Sequence, residues 1–226
     1  MLAERGADLV LVARDKAALD VVACAIGDAH GSCCACVAGD AASGETAGRA
    51  VGAARALGGL DILANIAGWY PTALVEQTGD EDFARTIASN LGATFAMCRA
   101  ALPALRQRRG AIVNMSSTAA RFPTPGLAGY GAAKAGVEAF TRALAVEAAP
   151  DVRVNAVSAG PTLTQAVREL MASDTTGAVK AVTASLPLGR LAEPEEIAEA
   201  ILFLASPRAS VVTGQVLHAN CGGHMG

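Results

Sequence analysis

The stretch AIVNMSSTAARFPTPGLAGYGAAKAGVEAFTRALAVEAAPDVRVNAV, residues 111–157, decides the fold. Its first run, Ala111–Ser116, is short and apolar, and so is its last, Val152–Val157. Between them Tyr130–Ala148 spaces its apolar residues as a helix does. Strand, helix and strand in that order form a βαβ unit, whose crossover makes the two strands parallel. The alternation continues outward. Upstream it predicts strands at Leu9–Ala13, Cys33–Ala38 and Leu60–Asn65, and helices at Lys16–Ile26, Thr46–Leu57 and Glu81–Leu105. Downstream it predicts a helix over Pro194–Ala205, opened by proline in its first turn, and a last strand at Gln215–Ala219. Repeated βα units imply an α/β fold, a parallel sheet with helices on both faces.

The chain has 226 residues, enough for one sizeable core, and no linker or low-complexity tract divides it, so residues 1–226 are expected as one domain. Hydrophobic residues make up 52% and charged residues 17%, too apolar for disorder. The net charge of -3, with the 18 Lys and Arg scattered, gives no footprint for nucleic acid. No apolar run approaches the roughly 18 residues that span a bilayer, and Met1–Arg5 lacks the order of a signal peptide. A cytoplasmic protein with no membrane partner and reduced thiols is therefore expected. Cys33, Cys34 and Cys36 cluster, but no second Cys or His pair stands at zinc spacing, so they read as packing in a buried strand rather than as a metal site. His30, His218 and His224 are each isolated in sequence from a plausible ligand partner. No metal is expected.

The chemistry concentrates on Tyr130 and Lys134, four residues apart at the start of a helix and so on one face. An ammonium near a phenol favours the phenolate, and the pair predicts a Tyr130 pKa lowered from its ordinary value near 10. Tyr-x-x-x-Lys alone is common by chance. Thirteen residues before Tyr130, however, Ser117 closes the strand AIVNMSS and places a hydroxyl at the carboxyl edge of the sheet, where open α/β folds bind ligands.

Ser117, Tyr130 and Lys134 in this order and spacing resemble the short-chain dehydrogenase/reductase family, and the resemblance runs along nearly the whole chain. Asn65-Ile66-Ala67-Gly68 resembles the family's Asn-Asn-Ala-Gly turn, with Ile66 in place of the second Asn. Asn90 falls at the fourth catalytic position, and Asp40 resembles the acid that meets the adenine ring. Ala159-Gly160-Pro161-Thr162-Leu163-Thr164 resembles the segment along the nicotinamide, although Ala159 stands where proline is usual. LPLGRLAEPEEIAEAILFLAS and VTGQVLHANCGG resemble the C-terminal helix and strand.

The resemblance implies a Rossmann-type doubly wound parallel sheet and an NAD(P)-dependent oxidoreductase acting on a small-molecule carbonyl or secondary alcohol. Asn90, Ser117, Tyr130 and Lys134 would be catalytic: Tyr130 as acid/base, Ser117 on the same oxygen, Lys134 on the ribose, Asn90 on a relay water. Arg14, Asp40, Asn65, Ala67, Gly68, Tyr130, Lys134, Gly160, Thr162 and Thr164 would bind the cofactor. Ala13 occupies the place where NAD-using relatives carry an acid, and Arg14 follows it, which favours NADP. Asp15 leaves NAD open, and a solvated Arg14 is the bland alternative. A homotetramer is expected, with Glu81–Leu105 and Tyr130–Ala148 at one interface, and the tone is that of beta-ketoacyl carrier-protein reductases and of sugar or cyclic-alcohol dehydrogenases, whose substrates differ too much to choose between. An extended-branch nucleotide-sugar epimerase would need more chain after Thr164.

In such a fold the first strand lies centrally, followed by a glycine-rich phosphate turn. Neither is found here. Met1–Gly6 reads as the end of a first helix, roughly 20 to 30 residues into a βα unit. The strands flanking that place would then face a gap one strand wide, or pair with each other. Three readings follow: a working reductase whose true start lies upstream, a shortened and inactive relative serving as a binding or assembly module, and an enzyme with altered cofactor binding. Trp69, Tyr70 and Pro71 would flank a pocket that Leu163–Leu186 covers, favouring a partly apolar ketone or acyl thioester, with packing as the alternative for Trp69. Thr162–Leu188, weakly periodic, reads as a mobile segment over the cleft or a plain connection.

Overall fold

The computed structural model describes residues 1–225. Among the described residues six strands run parallel in two sheets. β1 (Leu9–Ala13) pairs with β2 (Cys34–Ala38), and β3 (Ile62–Asn65), β4 (Ala111–Ser117), β5 (Arg153–Ala159) and β6 (Val216–Ala219) form a second sheet in that order. Helices alternate with them: α1 (Lys16–His30), α2 (Gly44–Ala56), α3 (Asp80–Ile87), α4 (Ala93–Arg108), α5 (Ala128–Ala148), α6 (Gln165–Ser173), α7 (Ala178–Ser185) and α8 (Pro194–Ala205). The α/β expectation from residues 111–157 holds. Helix ends follow local chemistry: Asp15 and Ser43 accept from Ala18 N and Thr46 N to cap α1 and α2, and Glu193 and Glu196 form a capping box around Pro194.

Period-two alternation on β4 and β5 sorts the core onto two faces. Ile112 and Val154 join Ala50, Met97, Ala101, Leu105 and Leu144 from α2, α4 and α5. Val113 and Val157 join Ile197, Ile201 and Leu204 from α8. These two layers hold the carboxyl end of β4 beside the first turns of α5, and that junction carries the site.

Three expectations change. Glu81–Leu105 is not one helix: a π-helical segment, Ala88–Gly92, separates α3 from α4. The irregular stretch after Thr162 contains two helices, α6 and α7, because Thr164 caps the first through Val167 N and the side chain of Asp174 accepts from Thr176, Gly177 and Val179 N before the second. The cysteine strand is only partly buried, with Cys33 exposed.

β1 and β3 do not pair with each other. Between them lies a cavity of about 690 Å³, lined by Leu9–Val12 and Ile62–Asn65 and floored by Ala50, Ala54, Met97 and Ala101. Leu9 N donates to Cys33 O and Ala13 O accepts from Gly39 N, so the backbone groups of the odd residues of β1 face β2. Alternation turns those of Val10 and Val12 toward the cavity. By the same alternation Asp61 O accepts from Ala111 N toward β4, and the amides of Ile62 and Ala64 face the cavity from the other side.

Candidate active site

Ser117 is the last residue of β4, extended at φ -155°, and its hydroxyl accepts from Ala119 N at 3.2 Å across the turn that follows. Tyr130 and Lys134 leave the first turns of α5, which packs on β4 and β5. Lys134 is buried, 3% exposed, and its Nζ donates to Met115 O at 2.8 Å while standing 5.7 Å from the centre of the Tyr130 ring. With no carboxylate to offset desolvation, burial lowers the Lys134 pKa to about 8. Burial pushes the Tyr130 phenol up to about 12; the Ser117 hydroxyl draws it back and Tyr70 adds to the rise. The direction opposes the lowered value expected from the Tyr-Lys spacing. Desolvation sets the direction, while the Lys134 ammonium is directed at the Met115 carbonyl.

Asn90 sits in the π-helical segment, 1% exposed. Its Nδ2 donates to Thr86 O at 2.9 Å and to Trp69 O at 2.7 Å, tying the widened turn to the segment after β3. Its Oδ1 is buried without a partner in the structure. A Cβ on Gly68 would collide with that oxygen and lie 3.6 Å from Lys134 Nζ, so Gly68, Asn90 and Lys134 meet at one point. A glycine there is a spatial requirement. An unsatisfied acceptor beside an ammonium at the edge of a sheet is a place prepared for a hydroxyl or water. π-helical widening is frequent at functional sites, and here it delivers Asn90 to the site.

Other predicted residues divide. Gly160 packs on Asn220, whose Cα lies 2.8 Å from a Cβ placed there, and Thr162 Oγ1 donates to Gly160 O at 2.9 Å. Thr164 is engaged as the cap of α6. Asn65 turns inward: Nδ2 donates to Asn114 Oδ1 at 2.9 Å and to Cys98 Sγ at 3.2 Å, and Asn114 donates on to Thr141, so its side chain links β3 to β4 rather than facing solvent. Ala67 and Gly68 are exposed at the strand end. Arg14 and Asp40 lie away from these, at the ends of β1 and β2, both exposed. Asp40 Oδ1 accepts from Ala42 N at 2.9 Å, and Asp15 is occupied as the cap of α1.

Sequence reasoning missed several supporting groups. Glu138, 3% exposed, accepts from Ser116 Oγ at 3.1 Å and Arg121 Nε at 2.9 Å, clamping α5 to β4 next to Ser117. Its place one turn after Lys134 on the same helix was the available signal. Met115 contributes only a carbonyl, which no side-chain pattern reveals. His218 and His224, far from partners in sequence, meet edge to face at 5.2 Å.

A parallel sheet covered on both faces, with a hydroxyl, a phenol and an ammonium gathered at its carboxyl edge, defines a Rossmann-type oxidoreductase. A family model described as enoyl-(acyl carrier protein) reductase matches residues 1–224. An uncharacterized oxidoreductase of Mycobacterium tuberculosis is 38% identical over 227 residues, covering 97% of this chain and 84% of its own. A protein of Xanthobacter autotrophicus named inactive 2-(S)-hydroxypropyl-CoM dehydrogenase 2 is 39% identical over 221 residues, 96% of this chain and 95% of its own. A solved short-chain dehydrogenase/reductase of glucose/ribitol dehydrogenase type from Brucella melitensis superposes with TM-score 0.91 at 37% identity, covering all of this chain and 89% of its own. The chain belongs to the short-chain dehydrogenase/reductase family, whose members are NAD(P)-dependent oxidoreductases. Among the described residues no helix is long and apolar enough to cross a membrane.

Proposed function

We propose that this chain is a carbonyl reductase or secondary-alcohol dehydrogenase that uses Tyr130 as its acid/base. The observation that carries the reading is the meeting of Lys134, Tyr130, Ser117 and Asn90 at one sheet edge, with a buried ammonium and an orphaned amide oxygen facing the same space. A bound nicotinamide supplies or accepts hydride at the substrate carbon. Tyr130 gives its proton to the substrate oxygen or takes it back, and a phenol held neutral by burial starts as the acid. Ser117 donates a hydrogen bond to that oxygen and stabilises the charge that develops on it. Lys134, with donors to spare beyond Met115 O, would hold a ribose hydroxyl of a bound nicotinamide cofactor, and its positive charge beside Tyr130 would favour the phenolate. Asn90 Oδ1 accepts from the water that returns the proton.

Arg14 would meet the extra phosphate of NADP. The engagement of Asp15 as a helix cap supports that choice over NAD, since its carboxylate is already used. Thr162 and Gly160 would line the nicotinamide, and Asp40 the adenine. A homotetramer through α4 and α5 and a cytoplasmic location complete the reading. Reduction of a ketone and thioester panel by NADPH tests it: turnover by the chain and its loss in Tyr130→Phe is the expected pair.

A second reading, a binding or assembly module without turnover, is favoured by the split sheet. The cavity between β1 and β3 borders the side from which the cofactor's pyrophosphate would be held. A relative of nearly the same length bears the name of an inactive dehydrogenase. Absence of NADPH binding at millimolar concentration would select this reading.

A further inference from the structure

Two tyrosines are present in the chain, and they touch: the rings of Tyr70 and Tyr130 stack at 4.1 Å between centroids and 27° between planes. The backbone on either side of Tyr70 is fixed. Just before it, Trp69 O accepts from Asn90 Nδ2 at 2.7 Å and from Ser89 Oγ at 3.3 Å, and the Trp69 ring is covered by the Arg85 guanidinium at 3.9 Å. Just after it, Ala73 N donates to Gly126 O at 3.1 Å in the loop that leads into α5, where a Cβ on Gly126 would stand 3.0 Å from Thr72 Cγ2. Tyr70 is thus tied to the same elements that carry Asn90 and Tyr130. Its ring stays 47% exposed and so adds little to the core. What the ring does cover is one face of the Tyr130 phenol.

We propose that Tyr70 is the positioning residue of the acid/base: its ring lies on Tyr130, fixes the direction of the phenol and keeps water from the covered face. The inference rests on Tyr130 as the reacting group. Aromatic pairs ordinarily meet at about 4.5–7 Å, and two rings at 4.1 Å leave no room for water between them. Taking water from a phenol costs the charged phenolate more than the neutral form, so the covered group stays a proton donor. The groups that face Tyr130 are Lys134 of α5 at 5.7 Å, the Ser117 hydroxyl at the end of β4, which bonds to the phenol, and Tyr70 itself from the segment after β3; the Arg85 cation of α3 lies over Trp69. Lys134 favours the phenolate and Tyr70 the phenol. In the direction of reduction, hydride from the nicotinamide reaches the carbonyl carbon while Tyr130 gives its proton to the oxygen, and a phenol aimed and kept protonated by Tyr70 is ready for that step.

Each Tyr70 variant leaves Tyr130 as the one tyrosine of the chain, so absorbance near 295 nm follows it alone. The titration compares Tyr70→Phe, which keeps the flat ring, with Tyr70→Ala, which removes it; Tyr70→Leu takes the place of the alanine variant if far-UV circular dichroism shows that one unfolded. Without the ring the midpoint is expected about one pH unit below that of Tyr70→Phe. In ketone reduction by NADPH, Tyr70→Ala is expected to lose about three- to tenfold in kcat with KM for NADPH unchanged, and to move the alkaline limb of the pH profile to lower pH; Tyr70→Phe restores both. Unimpaired turnover by Tyr130→Phe would overturn the acid/base reading. Equal midpoints in the Tyr70→Phe and Tyr70→Ala chains, whether or not the parent turns over, or a loss of kcat as large with phenylalanine as with alanine, would overturn the role of Tyr70.

Discussion

Lys134 Nζ is held at 2.8 Å by the main-chain oxygen of Met115 and lies 5.7 Å from the Tyr130 ring centre, so the ammonium is stored beside the phenol without being spent on it. The arrangement costs stability. Burial lowers the Lys134 pKa to about 8 from 10.5, which means the folded chain holds that proton less tightly than the unfolded one. Between about pH 8 and 10.5 the unfolded chain binds more protons, so the contribution of Lys134 to stability grows as pH rises and is lost as pH falls through 8. Lys134→Met is expected to raise stability by about 1–3 kcal/mol at pH 7 and to flatten the rise toward pH 10. Urea denaturation at pH 7 and 9.5 measures both; a variant less stable than the parent at pH 7 would count against a buried, unpaired ammonium.

Tyr130 works in the opposite sense. Its pKa is raised from 10 to about 12, so its contribution is full below pH 10 and declines as pH rises toward 12. Because the chain contains two tyrosines, Tyr70→Phe leaves Tyr130 alone to titrate near 295 nm. A midpoint clearly above 10 without cofactor is expected. A midpoint below 10 would mean that Lys134 already controls the phenol.

Gly68→Ala drives a methyl group into Asn90 Oδ1. The expected results are a loss of about 1–3 kcal/mol in stability and weaker NADPH binding, since Asn90 can yield only by breaking its bonds to Thr86 O and Trp69 O. Thermal unfolding and cofactor titration check the two effects together. An alanine tolerated in both would show that Gly68 and Asn90 are not in contact.

Glu138→Gln keeps the shape of the clamp between α5 and β4 but removes the charge facing Arg121 and Arg142. Arg121 is 38% exposed, so solvent screens part of the interaction and a loss of about 1–2 kcal/mol is expected. If Glu138 positions Ser117, kcat falls while KM for NADPH stays constant, and a change confined to stability would assign it to the core alone.

For the cofactor, NADPH is expected to bind about tenfold more tightly than NADH, with Arg14→Ala removing the difference. Equal affinities in the parent chain would return Asp15 to consideration.

Much of this was legible in the sequence because short-range rules fix it. Ser117 at a strand end and Tyr130 and Lys134 on one helical face follow from period and spacing alone, and the βα alternation gave the parallel strands. Asn90 could be placed by resemblance, but the π-helical segment that carries it could not, since Glu81–Leu105 reads as uninterrupted helix and the Trp69 O that Asn90 meets belongs to another element. The contact of Tyr70 with Tyr130 likewise depends on the pinning of a loop at Gly126. The inward turn of the Asn65 amide depends on Asn114, a cross-strand partner that the register alone determines. The Tyr130 pKa went the other way because of burial, invisible in a spacing, while Lys134 is spent on the Met115 carbonyl. Whether β1 and β3 would close on each other could not be read from either strand; the cavity between them is floored by Ala50, Ala54, Met97 and Ala101 from α2 and α4.

The most direct test of Tyr130 as the acid/base follows deuterium from C4 of deuterated NADPH to the carbonyl carbon of a ketone, by mass spectrometry of the alcohol formed. The parent chain is expected to deliver the label, with Tyr130→Phe reduced by about 10²- to 10⁴-fold while it still binds NADPH. Label transfer by Tyr130→Phe at the parent rate, or none by the parent chain at saturating NADPH, would contradict the account.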